Sequence, residues 1–415
     1  MRTAPTPRGI TLIELVVAMA VSAVVLAGVV TVVGTQQKAY YDGHRQRAAQ
    51  AGGRAALLFL EQALMLAGYG LDAPLAFDFD RYAGPCPPEL VPCLRDSVSN
   101  SDEIVFYNRN PRYGVTNNAA VPPVGNAWQL ISASPVDFTV NAREGDVFPK
   151  GQIIQVVCDT GRLYAYGTVL DTVVVPDDAI PPRLFVPTGI ALTAPVMDDP
   201  FQRPDEAVNG CFFDGTAVAF LVERHRFHVR PVREGTVLHP YLAHDRGVDV
   251  NLDNVVDELD EELLAEGIEV LQFGYVLTSN TLATRGTSPG VAIGMARGSP
   301  GALVGDGMTL LDFPGVFEPP SLYRSTSFYP FVINPPPHAR RLTDHQANIR
   351  AVRIALLARS PEPDPTAVGG GGITLPVLNM NTRPPWINDT DRHARVRFDT
   401  TVLVRNMAVR AMTDF

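Results

Sequence analysis

Hydrophobic and polar positions fall into two very unequal parts. From Ile10 to Gly34, 25 consecutive residues are apolar or small except for Thr11, Glu14, Ser22 and Thr31. As a helix this run is about 37 Å long, enough to cross a hydrocarbon layer of about 30 Å with some tilt. No second run of this kind follows, so the pattern predicts one anchor and a large head. From Gln36 to Gly68 breakers are few, and Leu57, Leu60, Leu64 and Ala67 recur on one face at helical spacing. The helix is therefore expected to continue past the membrane and pack its lower half. Gly28, Gly34, Gly52 and Gly53 are its weak points, and Gly68 and Gly70 its stop.

Beyond residue 73 the pattern changes to strands, turns and long loops. Glu103–Arg109 and Gln152–Val157 read as short strands. Arg162–Leu170 follows Cys158 across Asp159, Thr160 and Gly161, which predicts a hairpin. Ala217–Val229 and Ile349–Ala358 are further strands. Leu271, Phe273, Tyr275 and Leu277 alternate, marking one buried face. Val396, Phe398, Thr400, Val402 and Val404 alternate with Arg395, Arg397, Asp399 and Arg405, a half-buried late strand. Ser279–Ser327 and Ser360–Asn381, rich in Gly, Ser, Thr and Pro, read as insertions. The expected fold is α+β, a long N-terminal helix on a mostly antiparallel sheet head. Its segments are a leader (1–9), an anchor (10–34), a helical continuation (35–70) and a head (73–415).

Glu14 is the one carboxylate in the apolar run, and such a group costs about 2.5–3.5 kcal/mol at a bilayer centre on insertion scales. The leader before it carries Arg2 and Arg8 and has no apolar region of its own. A secretory signal places its cleavage site after the apolar segment; here the cut falls before it, at Gly9. The series Gly9-Ile10-Thr11-Leu12-Ile13-Glu14-Leu15 resembles the prepilin signal of type IV pilins and type II secretion pseudopilins. Ile10 stands where that family usually has Phe. The resemblance implies cleavage by prepilin peptidase between Gly9 and Ile10, then methylation of the new N-terminus. It also implies that Glu14 pairs with the Ile10 amine of a neighbouring subunit and sets the axial register. Glu262–Leu277, Arg350–Ser360 and Arg395–Asn406 look like later segments of PilW-like minor pilins. Residues 73–215 and the two insertions carry little of the likeness, and the head is large for a pilin.

Charge orients the molecule. Arg2 and Arg8 ahead of the anchor keep the N-terminus cytoplasmic and send the head outward. Formal net charge is −10, and loss of those two arginines with the leader makes it −12. An acidic head disfavours nucleic acid as a partner. The four cysteines, Cys86, Cys93, Cys158 and Cys211, suit disulfides in an exported head. The local pairing is Cys86–Cys93 with Cys158–Cys211, one of three connectivities open to four cysteines.

A second constellation stands outside the resemblance. Asp249, Asn251, Asp253, Asp257 and Asp260 occupy positions 1, 3, 5, 9 and 12 of an EF-hand-type loop, with the Val255 carbonyl at position 7. Position 12 is Asp, as in dockerin-like loops. Position 6 is Asn254 in place of Gly, and Asn tolerates a left-handed backbone better than most residues. Calcium is the cofactor this spacing admits; the alternative is an acidic solvated loop running into a helix near Glu258–Glu266. No G-x-S-x-G, P-loop or H-E-x-x-H is present, and His225 and His228 cannot share a strand face, so they read as surface residues. An enzyme is not expected. The sequence points to an inner-membrane prepilin that later reaches the pilus or cell surface of a Gram-negative bacterium. It would there help prime assembly with other minor pilins, the major pilin and the inner-membrane machinery, and would sit at the tip with an adhesin. The alternatives are a type II secretion pseudopilin and an adhesin-like or DNA-capturing tip subunit.

Overall fold

The computed structural model describes residues 12–71, 75–78, 101–110, 127–143, 145–158, 163–175, 186–195, 201–202, 217–235, 237–278, 303–304, 308–311, 349–363, 387 and 392–410. Helix α1 spans Leu12–Leu64, 53 residues without interruption. Its first half is bare, with Leu12, Val16, Val24 and Val30 all exposed. Its second half buries Ala49, Gly53, Ala56, Leu60 and Leu64, spaced three or four apart along one stripe. Burying Leu60 and Leu64 contributes about 1.5–3 kcal/mol each. The helix stops where Gly68 and Gly70 both adopt φ of +74°. There the Gly68 N–H donates to the Tyr107 carbonyl at 2.9 Å, tying the helix end to the head.

The strands in chain order are β1 (Ile104–Arg109), β2 (Ala127–Ala133), β3 (Asp137–Ala142), β4 (Val147–Phe148), β5 (Ile153–Cys158), β6 (Leu163–Thr168), β7 (Val173–Val174) and β8 (Val186–Ala191). They continue with β9 (Val218–Glu234), β10 (Val237–Asp245), β11 (Glu262–Glu266), β12 (Ile268–Thr278), β13 (Leu303–Val304), β14 (Met308–Leu311), β15 (Ile349–Pro363) and β16 (His393–Leu403), before a short helix α2 (Arg405–Arg410). Every strand pairing among the described residues is antiparallel. The chain is thus α+β, a long N-terminal helix with antiparallel sheets.

One sheet runs β13-β14-β12-β15-β16, and α1 lies against its β15 and β16. Between them sit Leu60, Leu64, Phe273, Ile354 and Val402, joined by Phe106 and Phe227 from the other sheet. The Thr400 hydroxyl donates to Glu61 at 3.1 Å, fixing the helix along β16. The other sheet follows β11-β10-β9-β2-β3-β8, with β9 as its spine. Along one edge β9 pairs with β1 and β2, along the other with β5 and β10. A second core under β2, β3 and β8 holds Phe138, Val140, Phe148 and Ile190.

Several expectations need adjusting. Gly52 and Gly53 are no soft point: α1 runs straight through them, and the Phe398 ring packs where a Cβ of residue 53 would stand. Both faces of β12 are buried over Val270–Phe273, and the segment at Ser101 and Asp102 bonds along the strand's backbone edge there. The Asp102 N–H donates to the Leu271 carbonyl at 2.9 Å, and Gln272 donates to the Asp102 carboxylate at 3.0 Å. Glu258–Glu266 is not a helix. A 3-10 turn at Glu258–Asp260 leads directly into β11, which pairs with β10. The β5–β6 hairpin and the alternating burial of β16 from Val396 to Val404 match the pattern read from sequence.

Candidate functional site

Glu14 lies in the first turn of α1, among exposed apolar side chains. The most apolar 18-residue stretch of α1 has a mean hydropathy of 2.7 and buries nothing in the protein. This is the one described helix long and apolar enough to cross a membrane. Gly9 and Ile10, the expected processing pair, lie outside the described residues. Cys158 closes β5, while Cys86, Cys93 and Cys211 also lie outside them, so the disulfide pairing belongs to residues not described.

The acidic loop between β10 and β11 turns its five expected side-chain ligands, Asp249, Asn251, Asp253, Asp257 and Asp260, onto its own backbone amides. Asp249 is fully buried, and one carboxylate oxygen accepts the Asp253 N–H at 3.1 Å. Its other oxygen accepts the Asn254 N–H at 2.7 Å and the Thr172 hydroxyl at 3.2 Å. From the far end, Asp260 accepts the N–H groups of Val250 at 2.7 Å, Asn251 at 3.2 Å and Asp257 at 3.0 Å. Asn251 and Asp253 hold the intervening turn, accepting the Asp253 and Val255 N–H groups at 2.9 and 2.8 Å. Two residues adopt the left-handed backbone: Leu252 at φ 63° and Asn254 at φ 67°. Asn254 was anticipated; Leu252 was not, since nothing in an aliphatic residue signals that conformation. The Lys150 ammonium seals the loop by donating to the Asn254 carbonyl at 2.9 Å. Among the described residues, no three His, Cys, Asp or Glu side chains converge to hold a metal ion.

Residues 6–30 match the family model for the prokaryotic N-terminal methylation motif. The chain therefore carries a prepilin-type N-terminus, the mark of pilin and pseudopilin subunits. The motif implies processing by prepilin peptidase and assembly with pilus components. It covers Glu14 and most of the bare half of α1, and it stops short of the head. No curated protein and no solved structure gives a significant match to the chain.

The β9 histidines sit differently from the surface placement expected of them. His225 and His228 do point to opposite faces, but β1 and β10 flank the strand and both side chains are largely buried. His225 stacks on Phe106 and lies 3.0 Å from His244, nitrogen to nitrogen, so one ring donates and the other accepts. Burial, then the charges of His225 and Arg246, hold the His244 imidazole down at about 3. Burial and the charge of Arg226 do the same to His228, also to about 3. On the face that carries His228, opposite His225, runs an ion-pair ladder that the sequence pattern did not reveal. Arg224 meets Asp245 at 2.9 Å, Arg226 meets Glu103 at 2.7 Å, and Arg230 meets Glu258 and Glu261 at 2.9 Å. Because cross-strand partners come from distant segments, alternation along β9 alone could not name them.

Proposed function

We propose that this chain is a PilW-like minor pilin of a type IV pilus that helps prime assembly without doing bond chemistry. The observation carrying it is Glu14, in the first turn of a bare apolar helix and inside the matched methylation motif. After cleavage at Gly9 the new Ile10 amine would be as unwelcome in hydrocarbon as the carboxylate. Pairing Glu14 with the Ile10 amine of a neighbouring subunit neutralises both and sets the axial step. The exposed half-helix then enters the filament core, and the head, held by its stripe at Ala49–Leu64, stays outside. A tip position beside an adhesin is part of the same reading. The decisive experiment is deletion of the chain followed by measuring major pilin in the sheared surface fraction. Loss of surface pili, restored by complementation, supports the reading. Unchanged pili with lost exoprotein secretion would instead mark a type II secretion pseudopilin.

For the acidic loop we propose calcium as a ligand when the ion is supplied. Support comes from the ligand spacing and from left-handed residues at positions 4 and 6, where a twelve-residue calcium loop bends. The Asp249 and Asp260 carboxylates already anchor both ends of the loop.

A further inference from the structure

The loop between β10 and β11 is inside out. Two of its acids, Asp249 and Asp260, are buried, while Val250, Leu252, Val255, Val256 and Leu259, with Leu263 at the start of β11, are exposed by 41 to 77%. Leu259, at 77%, stands almost clear of the protein. Large aliphatic side chains gathered this densely on a surface mark a contact site, whereas scattered ones need no explanation. The backbone holds them outward. Asp257 and Asp260 cap the 3-10 turn under Leu259, and the left-handed turn at Leu252 and Asn254 is locked by Asp249.

The rim decides what fits. Residues 249–266 contain eight acids and no base, and Asp253, Asp257, Glu258, Glu262 and Glu266 are all exposed. The nearby bases are engaged: Lys150 on Asn254, Arg230 on Glu258 and Glu261, Arg246 within 3.9 Å of Glu262. A membrane surface is a poor occupant, because anionic headgroups repel such a rim. A second copy placed across a two-fold axis would set these carboxylates against themselves. We infer that this face docks a different protein, one presenting an aliphatic hollow bordered by arginine or lysine. This goes beyond the pilin reading, since it needs only the loop and its rim. A failure here leaves the role of residues 6–30 untouched.

The test places a photo-crosslinking amino acid at Leu259 of the full chain in its native membrane, with Val237 as an exposed control site. The expected result is one protein adduct from position 259 and none from 237, mapped to a partner segment carrying Arg or Lys. Glu258→Arg with Glu262→Arg should lower the adduct yield at least tenfold, and reversing the partner's mapped base should restore it. Leu252→Ser, checked for an unchanged melting midpoint, should lower the yield too. Adducts confined to lipid, to a second copy or to this same chain would overturn the inference. So would no adduct at all, or a yield indifferent to the charge reversals.

Discussion

Phe398 of β16 rests on Gly53 of α1, its ring occupying the space that any larger residue at position 53 would claim. Next to it Gly52 brings the helix so near β11 that an added Cβ would lie 3.0 Å from the Glu266 carbonyl. At this pair of glycines helix and sheet are in close contact. Replacing Gly53 by Ala gains about 1 kcal/mol of helix propensity but overpacks the contact by about 1–3 kcal/mol. Gly53→Ala should therefore lower the melting midpoint of the intact chain and raise it when Phe398→Ala is already present. Equal effects in both backgrounds would mean the two residues do not share this contact.

Glu269 is fully buried between Arg395, at 2.7 and 3.0 Å, and Arg359, at 3.5 Å. Removing one partner of a buried ionic group costs about 3–5 kcal/mol, because the remaining charge stays in a poorly solvating site. Glu269→Leu should unfold the chain at a markedly lower denaturant concentration. Arg353→Leu, at the more exposed pair with Asp399, should cost about 1 kcal/mol or less. Comparable losses at both positions would contradict the burial argument.

Acid should destabilise the head before its carboxylates titrate. His228 and His244 ionise near 3 in the folded chain, against about 6.5 in an unfolded one. Between those values the unfolded chain binds protons that the folded chain refuses, so stability is full above pH 6.5 and falls below it. The slope approaches about 1.4 kcal/mol per pH unit for each histidine. His228→Gln with His244→Gln should flatten the melting midpoint between pH 6.5 and 4.5. The same acid limb in the double variant would assign it to other groups.

Glu14→Ala should give a protein that is cleaved and held in the membrane yet absent from sheared filaments. N-terminal mass and the surface fraction read these two outcomes separately. Normal filament levels of the variant would remove Glu14 from the assembly role.

Calcium at millimolar concentration should raise the melting midpoint of the intact chain and release heat on titration. Asp253→Ala should abolish both responses, since Asp253 is exposed and central in the loop. A flat titration would leave the loop as an acidic turn held by its own amides.

The long apolar helix, its buried stripe and the strand class of the head were legible in the order of residues, because each rests on local periodicity. A 25-residue apolar run has one stable outcome in a membrane, and Leu57, Leu60 and Leu64 can share a face only as a helix, since the odd step from 57 to 60 would split them across a strand. The alternation of Val396 to Val404 likewise declared β16 before its partner was known. The close contact at Gly52 and Gly53 came from packing across the chain, because a glycine reads the same whether it bends or admits a ring. Tertiary structure turned Glu262–Glu266 from a plausible helix into β11, through pairing with β10. It also decided which way the acidic loop faces: Asp249 goes inward because the Asp253 and Asn254 amides await it, and Leu259 is left facing water.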